Sequence, residues 1–298
     1  MTVSQGREQF SGLALALACG IILGSAVAVS RFAYDGGANG ITVALFRVFF
    51  IVLVLTAGMK VAGRSFKIPS KLLPMVIVNG ILWGLMSYGN VGAVEYISIG
   101  LSSLLFFTFP IIIAVLVMVL RIEFVSRLKV LATLLAFAGL AIMLGVSLGN
   151  VDGRGTALSL VGAVATAVNA ILVARYFKHV DVFAISLYFN AVALLFLMLV
   201  VIFVMEMRMP TNAVGWSGMV GVAVLQAIGA PLYLFAITKV GALKTGMATN
   251  IQPVTAIFEA WVLFDEVLGA LQALGGALVL FAIGLMQWVD LRKHRPGD

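Results

Sequence analysis

Apolar residues gather along the chain in ten blocks, and the segments between the blocks carry most of the charge. The blocks run near Leu13–Ser30, Ile41–Gly58, Leu73–Val94, Ile99–Leu120, Val130–Leu148, Ala157–Ala174, Val182–Met205, Trp216–Thr238, Gly246–Phe264 and Leu268–Val289. A helix of about 20 apolar residues spans the hydrocarbon core of a bilayer, so each block predicts one transmembrane helix. Stretches such as "LLFFTFPIIIAVLVMVL" (104–120) are apolar all round. Strands of a membrane barrel would instead alternate polar and apolar residues. The expected fold class is therefore all-α and polytopic, with ten transmembrane helices.

Composition agrees: 62% of the 298 residues are hydrophobic and 10% are charged, against roughly 25% charged in soluble domains. The first block contains "ALACG" but lacks the short core and cleavage site of a secretory signal, so it is expected to be retained. The net charge of +7 reads as topology rather than nucleic-acid binding. With the amino terminus inside, 15 of the 19 lysines and arginines fall on the cytoplasmic side; Arg31, Arg154 and Arg208 lie outside and Arg47 within a span. The positive-inside rule then places both termini in the cytoplasm. Cys19, the one cysteine, lies in the first block and permits no intrachain disulfide.

The chain repeats itself. A shift of 143 residues lays "GLSSLLFFTFPIIIAVLVMVLRIE" (100–123) on "LKTGMATNIQPVTAIFEAWVLFDE" (243–266), matching Pro110 with Pro253 and Glu123 with Glu266. A shift of 144 sets "SRFAY" around Arg31 against "ARYFK" around Arg175. Two units follow, 1–150 and 151–298. Five spans per unit is an odd number, so the second enters the membrane from the opposite side. Inverted repeats of this kind are a recurring construction of secondary transporters, with the substrate site near the midplane between the halves. Pro110 and Pro253 are expected to kink their helices and open backbone polar groups toward a cavity.

Polar residues within the blocks suggest where that cavity lies. At 100° per residue, Asn79, Trp83, Met86 and Asn90 fall within about 60° of one another on the third span. The repeat shift carries Trp83 to Gln226 and Asn90 to Tyr233, which forms a second stripe on the eighth span. Asn169 corresponds to Ser25, while Asn250 and Gln252 correspond to Phe107 and Phe109. Amides facing lipid are costly, so these faces are expected to line a common interior, with Phe106 and Phe107 adding aromatic wall. Such a lining suits a small amphipathic metabolite better than a bare ion. Two deep charges stand out, Arg47 and Glu259, each costing ~2.5–3.5 kcal/mol at a helix centre on insertion scales. Arg47 is open to two readings, a tether to a carbonyl or to Glu259, and a contact for a substrate carboxylate. Glu259 is a candidate for proton coupling. Glycines four apart in "GIILG" (20–24) and the small residues of "GGALVLFAIG" (275–284) predict close helix contacts.

No phosphate-binding glycine loop, metal-ligand cluster or nucleophile with a matched base is apparent, and neither His179 nor His294 has a second ligand beside it. No enzymatic activity, cofactor or metal site is expected.

These features together resemble the EamA-type branch of the drug/metabolite transporter superfamily. The resemblance rests on the half-length repeat, on "ALFRVFF" around Arg47, and on "FPIIIAVLVMVLRIE" echoed by "IQPVTAIFEAWVLFDE". Within that branch the chain is most similar to bacterial YddG-type amino-acid exporters. The resemblance implies a basket of two inverted five-helix repeats in the bacterial inner membrane, exporting small metabolites through a central cavity by alternating access. It makes Arg47, Pro110, Glu123, Pro253 and Glu266 architectural rather than substrate-binding. The expected partners are small-molecule substrates, amino acids foremost, and membrane lipids, with no nucleic acid; a monomer is compatible with the reading. Two alternatives stay open: a multidrug exporter of lipophilic cations using Glu259, and a membrane enzyme or assembly subunit that transports nothing.

Overall fold

Backbone N–H and C=O groups in apolar surroundings have to be satisfied within the chain, and here helices do this throughout. The computed structural model describes residues 3–93, 96–122, 125–145, 152–264 and 269–292. The helices are α1 (Val3–Asp35), α2 (Gly40–Val61), α3 (Leu73–Gly92), α4 (Ile99–Phe106), α5 (Phe109–Val119), α6 (Arg127–Met143), α7 (Gly153–Tyr176), α8 (Val182–Phe203), α9 (Ala213–Val240), α10 (Ala242–Ala248), α11 (Ile251–Phe264) and α12 (Ala270–Arg292). Among the described residues, seven helical segments are long and apolar enough to cross a membrane: 11–35, 40–61, 70–89, 99–119, 153–176, 182–203 and 213–240. The other three expected spans fall on α6, on α10 with α11, and on α12, whose apolar stretch is the shorter Ala270–Met286. Large apolar side chains such as Phe49, Leu53, Leu134, Val164, Leu195 and Phe281 stay exposed on the outside of the bundle, as a lipid-facing surface requires.

Each of the two prolines follows an interruption of its helix. In the fourth and ninth blocks the helix is broken over two residues, with Phe107 and Thr108 still at near-helical dihedrals. Phe107 and Thr108 separate α4 from α5, and Thr249 and Asn250 separate α10 from α11. Pro110 is the second residue of α5 and Pro253 the third of α11. In a helix's first turn the missing proline N–H has no intrahelical partner to lose, so a break accommodates the ring where a continuous helix would clash. Side chains help close the ends: the Thr108 hydroxyl donates to the Leu105 carbonyl at 2.6 Å, and the Thr249 hydroxyl to Gly246 at 2.9 Å. The proline that does sit inside a helix is Pro231, in α9. Glu123 and Glu266, the matched acidic pair, lie outside the described residues.

Helix packing follows one scheme. The long α1 lies against α9 and α11; α3 lies against α7 and α8; α2 packs on α8 and α9; α6 pairs with α12. Small residues permit the closest approaches. A Cβ on Gly24 would stand 2.5 Å from the Gln252 carbonyl oxygen, and one on Gly20 would run into Ile251, so "GIILG" does mark a tight contact, that of α1 with the α10–α11 segment.

Two sets of connections fasten the α2–α8 pair at its opposite ends. At the start of α2, the Asn39 side chain caps the helix and takes the Arg208 N–H at 3.2 Å, while its amide donates to the Glu206 carbonyl at 2.8 Å. At the start of α8, the Asp181 carboxylate accepts from the N–H groups of Phe183 and Ala184 and binds the Arg64 guanidinium at 2.9 Å. Arg64 also covers the Phe183 ring at 4.6 Å, and the Tyr188 hydroxyl donates to the Phe66 carbonyl at 3.0 Å. The ion pair is exposed and worth roughly 0.2–1 kcal/mol, whereas losing a helix cap costs about 1 kcal/mol. Asp181→Ala should therefore lower the melting temperature in detergent more than Arg64→Ala does; equal shifts would mean that the ion pair, not the cap, holds this end.

Candidate functional site

Helices α1, α2, α3, α4, α5, α7, α9 and α11 enclose a cavity of about 100 Å³. Its wall is formed by Leu23, Val27, Arg47, Trp83, Met86, Ser87, Phe106, Phe109, Thr166, Gln226, Ala230, Tyr233 and Gln252. The helical period explains much of this. Trp83 and Met86 lie about a turn apart on α3, and Gln226, Ala230 and Tyr233 repeat at three- and four-residue intervals on α9, so each helix turns one stripe inward. Aromatic rings knit the wall. The Trp83 ring centroid is 6.1 Å from that of Tyr233 and 6.4 Å from that of Phe189, and Phe106 and Phe109 stand 5.8 Å apart.

Seven of the residues singled out in the sequence meet here: Arg47, Trp83, Met86, Phe106, Gln226, Tyr233 and Gln252. Others do not. Asn79 and Asn169 are fully buried and bond to each other, the Asn169 amide donating to Asn79 Oδ1 at 3.0 Å, so they join α3 to α7 and do not face the cavity. Phe107 packs edge-on to Phe106 at 5.7 Å, behind the wall. Asn250 is buried at the α10–α11 break, its Oδ1 without a hydrogen-bond partner. The Asn90 side chain lies outside the described residues. Glu259 is also off the wall: it takes a short hydrogen bond from the Ser25 hydroxyl, tying α11 to α1. The expected Arg47–Glu259 tether is thus absent.

Six wall residues went unread in the sequence: Leu23, Val27, Ser87, Phe109, Thr166 and Ala230. The repeat shift could have found three of them. The wall contains the pairs Trp83 and Gln226, Ser87 and Ala230, and Phe109 and Gln252, each 143 residues apart in sequence. In two of the three the first-half member is aromatic and its second-half counterpart bears an amide. The wall is therefore amphipathic, able to hold an apolar group on one part and hydrogen-bond a polar group on another.

The polar groups of the wall include unused donors. The Tyr233 side chain is buried, and its hydroxyl oxygen has no hydrogen-bond partner. Arg47, partly exposed to the cavity, makes no hydrogen bond or ion pair among the described residues; its electrostatic neighbour is the Tyr34 hydroxyl, itself bonded to Ser30. Buried polar groups without partners are uncommon in proteins, and in a cavity they are the groups a ligand or ordered water would satisfy.

Comparison with known proteins bears on this geometry. A crystal structure of another protein superimposes with a TM-score of 0.80 over 94% of this chain and 98% of its own, at 15% identity, a likeness of fold alone. No curated protein sequence matches the chain. Residues 153–288 match the EamA-like transporter family. The chain thus carries in its second half an EamA-like transporter domain, of the drug/metabolite transporter superfamily, and is a multi-pass membrane protein.

Proposed function

We propose that the chain is a secondary transporter that exports amino acids and related small amphipathic metabolites from the cytoplasm by alternating access, after the manner of the YddG-type exporters it resembles. The observation that carries this reading is the amphipathic cavity, walled by residues of both halves, among them three pairs at the repeat spacing. Its amides and hydroxyls would hold the polar head of the substrate, and Trp83 with the phenylalanines its side chain.

The same reading takes residues 1–150 and 151–298 as inverted five-helix repeats. Several contacts support it. Exchanging the halves turns the α1–α9 contact into the α7–α3 contact, and leaves α2–α8 and α6–α12 unchanged. The two fastenings of the α2–α8 pair exchange as well: Asn39 and Asp181 both cap a second-span helix, and Arg208 and Arg64 both reach those caps from the loop that follows the opposite helix. Rocking between two such equivalent arrangements would expose the cavity to each side in turn. The proposal takes both termini as cytoplasmic, a reading the distribution of basic residues supports, and the membrane as a bacterial inner membrane, in keeping with the resemblance. Export of lipophilic cations is disfavoured, because the cavity presents Arg47 while Glu259 is engaged with Ser25.

Purified protein in proteoliposomes should carry labelled amino acids faster than protein-free vesicles do. A panel of the twenty amino acids, with and without a pH gradient, would identify the substrates and any proton coupling. Rates equal to those of empty vesicles across the panel would refute the proposal.

A further inference from the structure

Resting on the transporter reading, we infer that Arg47 forms an anion subsite in the cavity, and that the substrate is recognised by its carboxylate, its amino group being dispensable. A guanidinium at membrane depth is costly unless paired. Arg47 lines the cavity without an ion pair or hydrogen bond among the described residues, and the deep carboxylate best placed in sequence to neutralise it, Glu259, is engaged by Ser25 on another helix. The Tyr34 hydroxyl beside Arg47 is neutral and cannot cancel its charge. The Arg47 guanidinium fork offers two charge-assisted hydrogen bonds, one to each oxygen of a carboxylate.

The rest of the wall fixes what else the substrate carries. Among the described wall residues there is no carboxylate, so an ammonium group would meet only neutral partners, the oxygens of Gln226, Gln252, Ser87 and Thr166 and the faces of the aromatic rings. Neutral acceptors match an ammonium less strongly than a guanidinium matches a carboxylate. The opposite wall of Trp83, Phe106 and Phe109 accepts an apolar or aromatic group. The substrate class is therefore a small monocarboxylate with an apolar side chain, whether it bears an amino group or not. Decarboxylated amines of the same shape are excluded, because they bring a second positive charge beside Arg47 and leave it unpaired.

A matched series tests this: leucine, 4-methylpentanoate, which lacks the amino group, and 3-methylbutylamine, which lacks the carboxylate. In proteoliposomes, 4-methylpentanoate should compete with labelled leucine about as well as unlabelled leucine does, and the amine should not compete at roughly tenfold higher concentration. In detergent the two carboxylates should raise the melting temperature and the amine should not. Arg47→Gln should raise the half-saturation concentration for leucine about tenfold or more, with Arg47→Lys in between. Competition and stabilisation by the amine equal to those of the acid would overturn the subsite. So would an unchanged half-saturation in folded Arg47→Gln protein. If that variant does not fold, the wild-type series alone decides. Failure of every compound both to cross the membrane and to shift the melting temperature would refute the transporter reading itself; transport of leucine blocked equally by amine and acid would refute only the subsite.

Discussion

Trp83→Ala is expected to raise the half-saturation concentration for transport by roughly tenfold or more, and to lower the melting temperature as well. The indole is buried, lies 6.1 Å from Tyr233 and 6.4 Å from Phe189 between ring centroids, and forms part of the cavity wall. Truncating an aromatic side chain in a packed site costs about 3–5 kcal/mol, from lost burial and from the void left behind. A fall in transport alone could therefore report a loosened bundle. Trp83→Phe separates the two effects: it retains much of the ring packing against Phe189 and Tyr233, so stability should largely return, while the substrate still meets a smaller surface and the half-saturation stays raised. Folded Trp83→Ala protein with wild-type half-saturation would remove Trp83 from the site and leave the transport proposal standing.

Trp83 was also legible in the sequence, and the reason shows how far such reading reaches. On an unbroken helix the 3.6-residue period fixes which residues share a face, and α3 and α9 obey it: Trp83, Met86, Gln226 and Tyr233 all reach the cavity. Across a break the period loses phase. Phe107 and Asn250, 143 residues apart, both fall at the junctions that divide α4 from α5 and α10 from α11, and both miss the wall. Two residues on, Phe109 and Gln252 stand inside new helices and line it. Asn79 shows a second limit. Its face was assigned correctly as interior, yet a helical wheel cannot say which neighbour waits there, and Asn169 does. Long-range partners such as Ser25 with Glu259, 234 positions apart, leave no local trace in the chain either.

The small residues of "GGALVLFAIG" (275–284) predict a packing surface on α12, and the close approaches there have a measurable consequence. Gly275→Leu should collapse the α6–α12 pair and reduce the yield of folded protein sharply. A Cβ at Gly275 would lie 2.5 Å from the Gly139 carbonyl oxygen and 2.5 Å from the Met143 backbone nitrogen, and one at Gly139 would lie 2.8 Å from the Gly275 carbonyl oxygen. The obstruction is backbone on both sides, so no side-chain rotation relieves it and the helices have to separate. Overpacking typically costs 1–3 kcal/mol when neighbouring side chains can shift; an immovable neighbour places this substitution at about the top of that range or beyond. The adjacent Gly276 supplies the control, since its Cβ would meet only Met143 Sδ at 3.6 Å and Val254 at 3.8 Å. Gly276→Ala should fold like the wild type. Neither α6 nor α12 contributes to the cavity wall, so whatever Gly275→Leu protein does fold should retain the wild-type half-saturation concentration, the reverse of the pattern at Trp83. Comparable melting temperatures for Gly275→Leu and Gly276→Ala would show that α6 and α12 do not meet at Gly139.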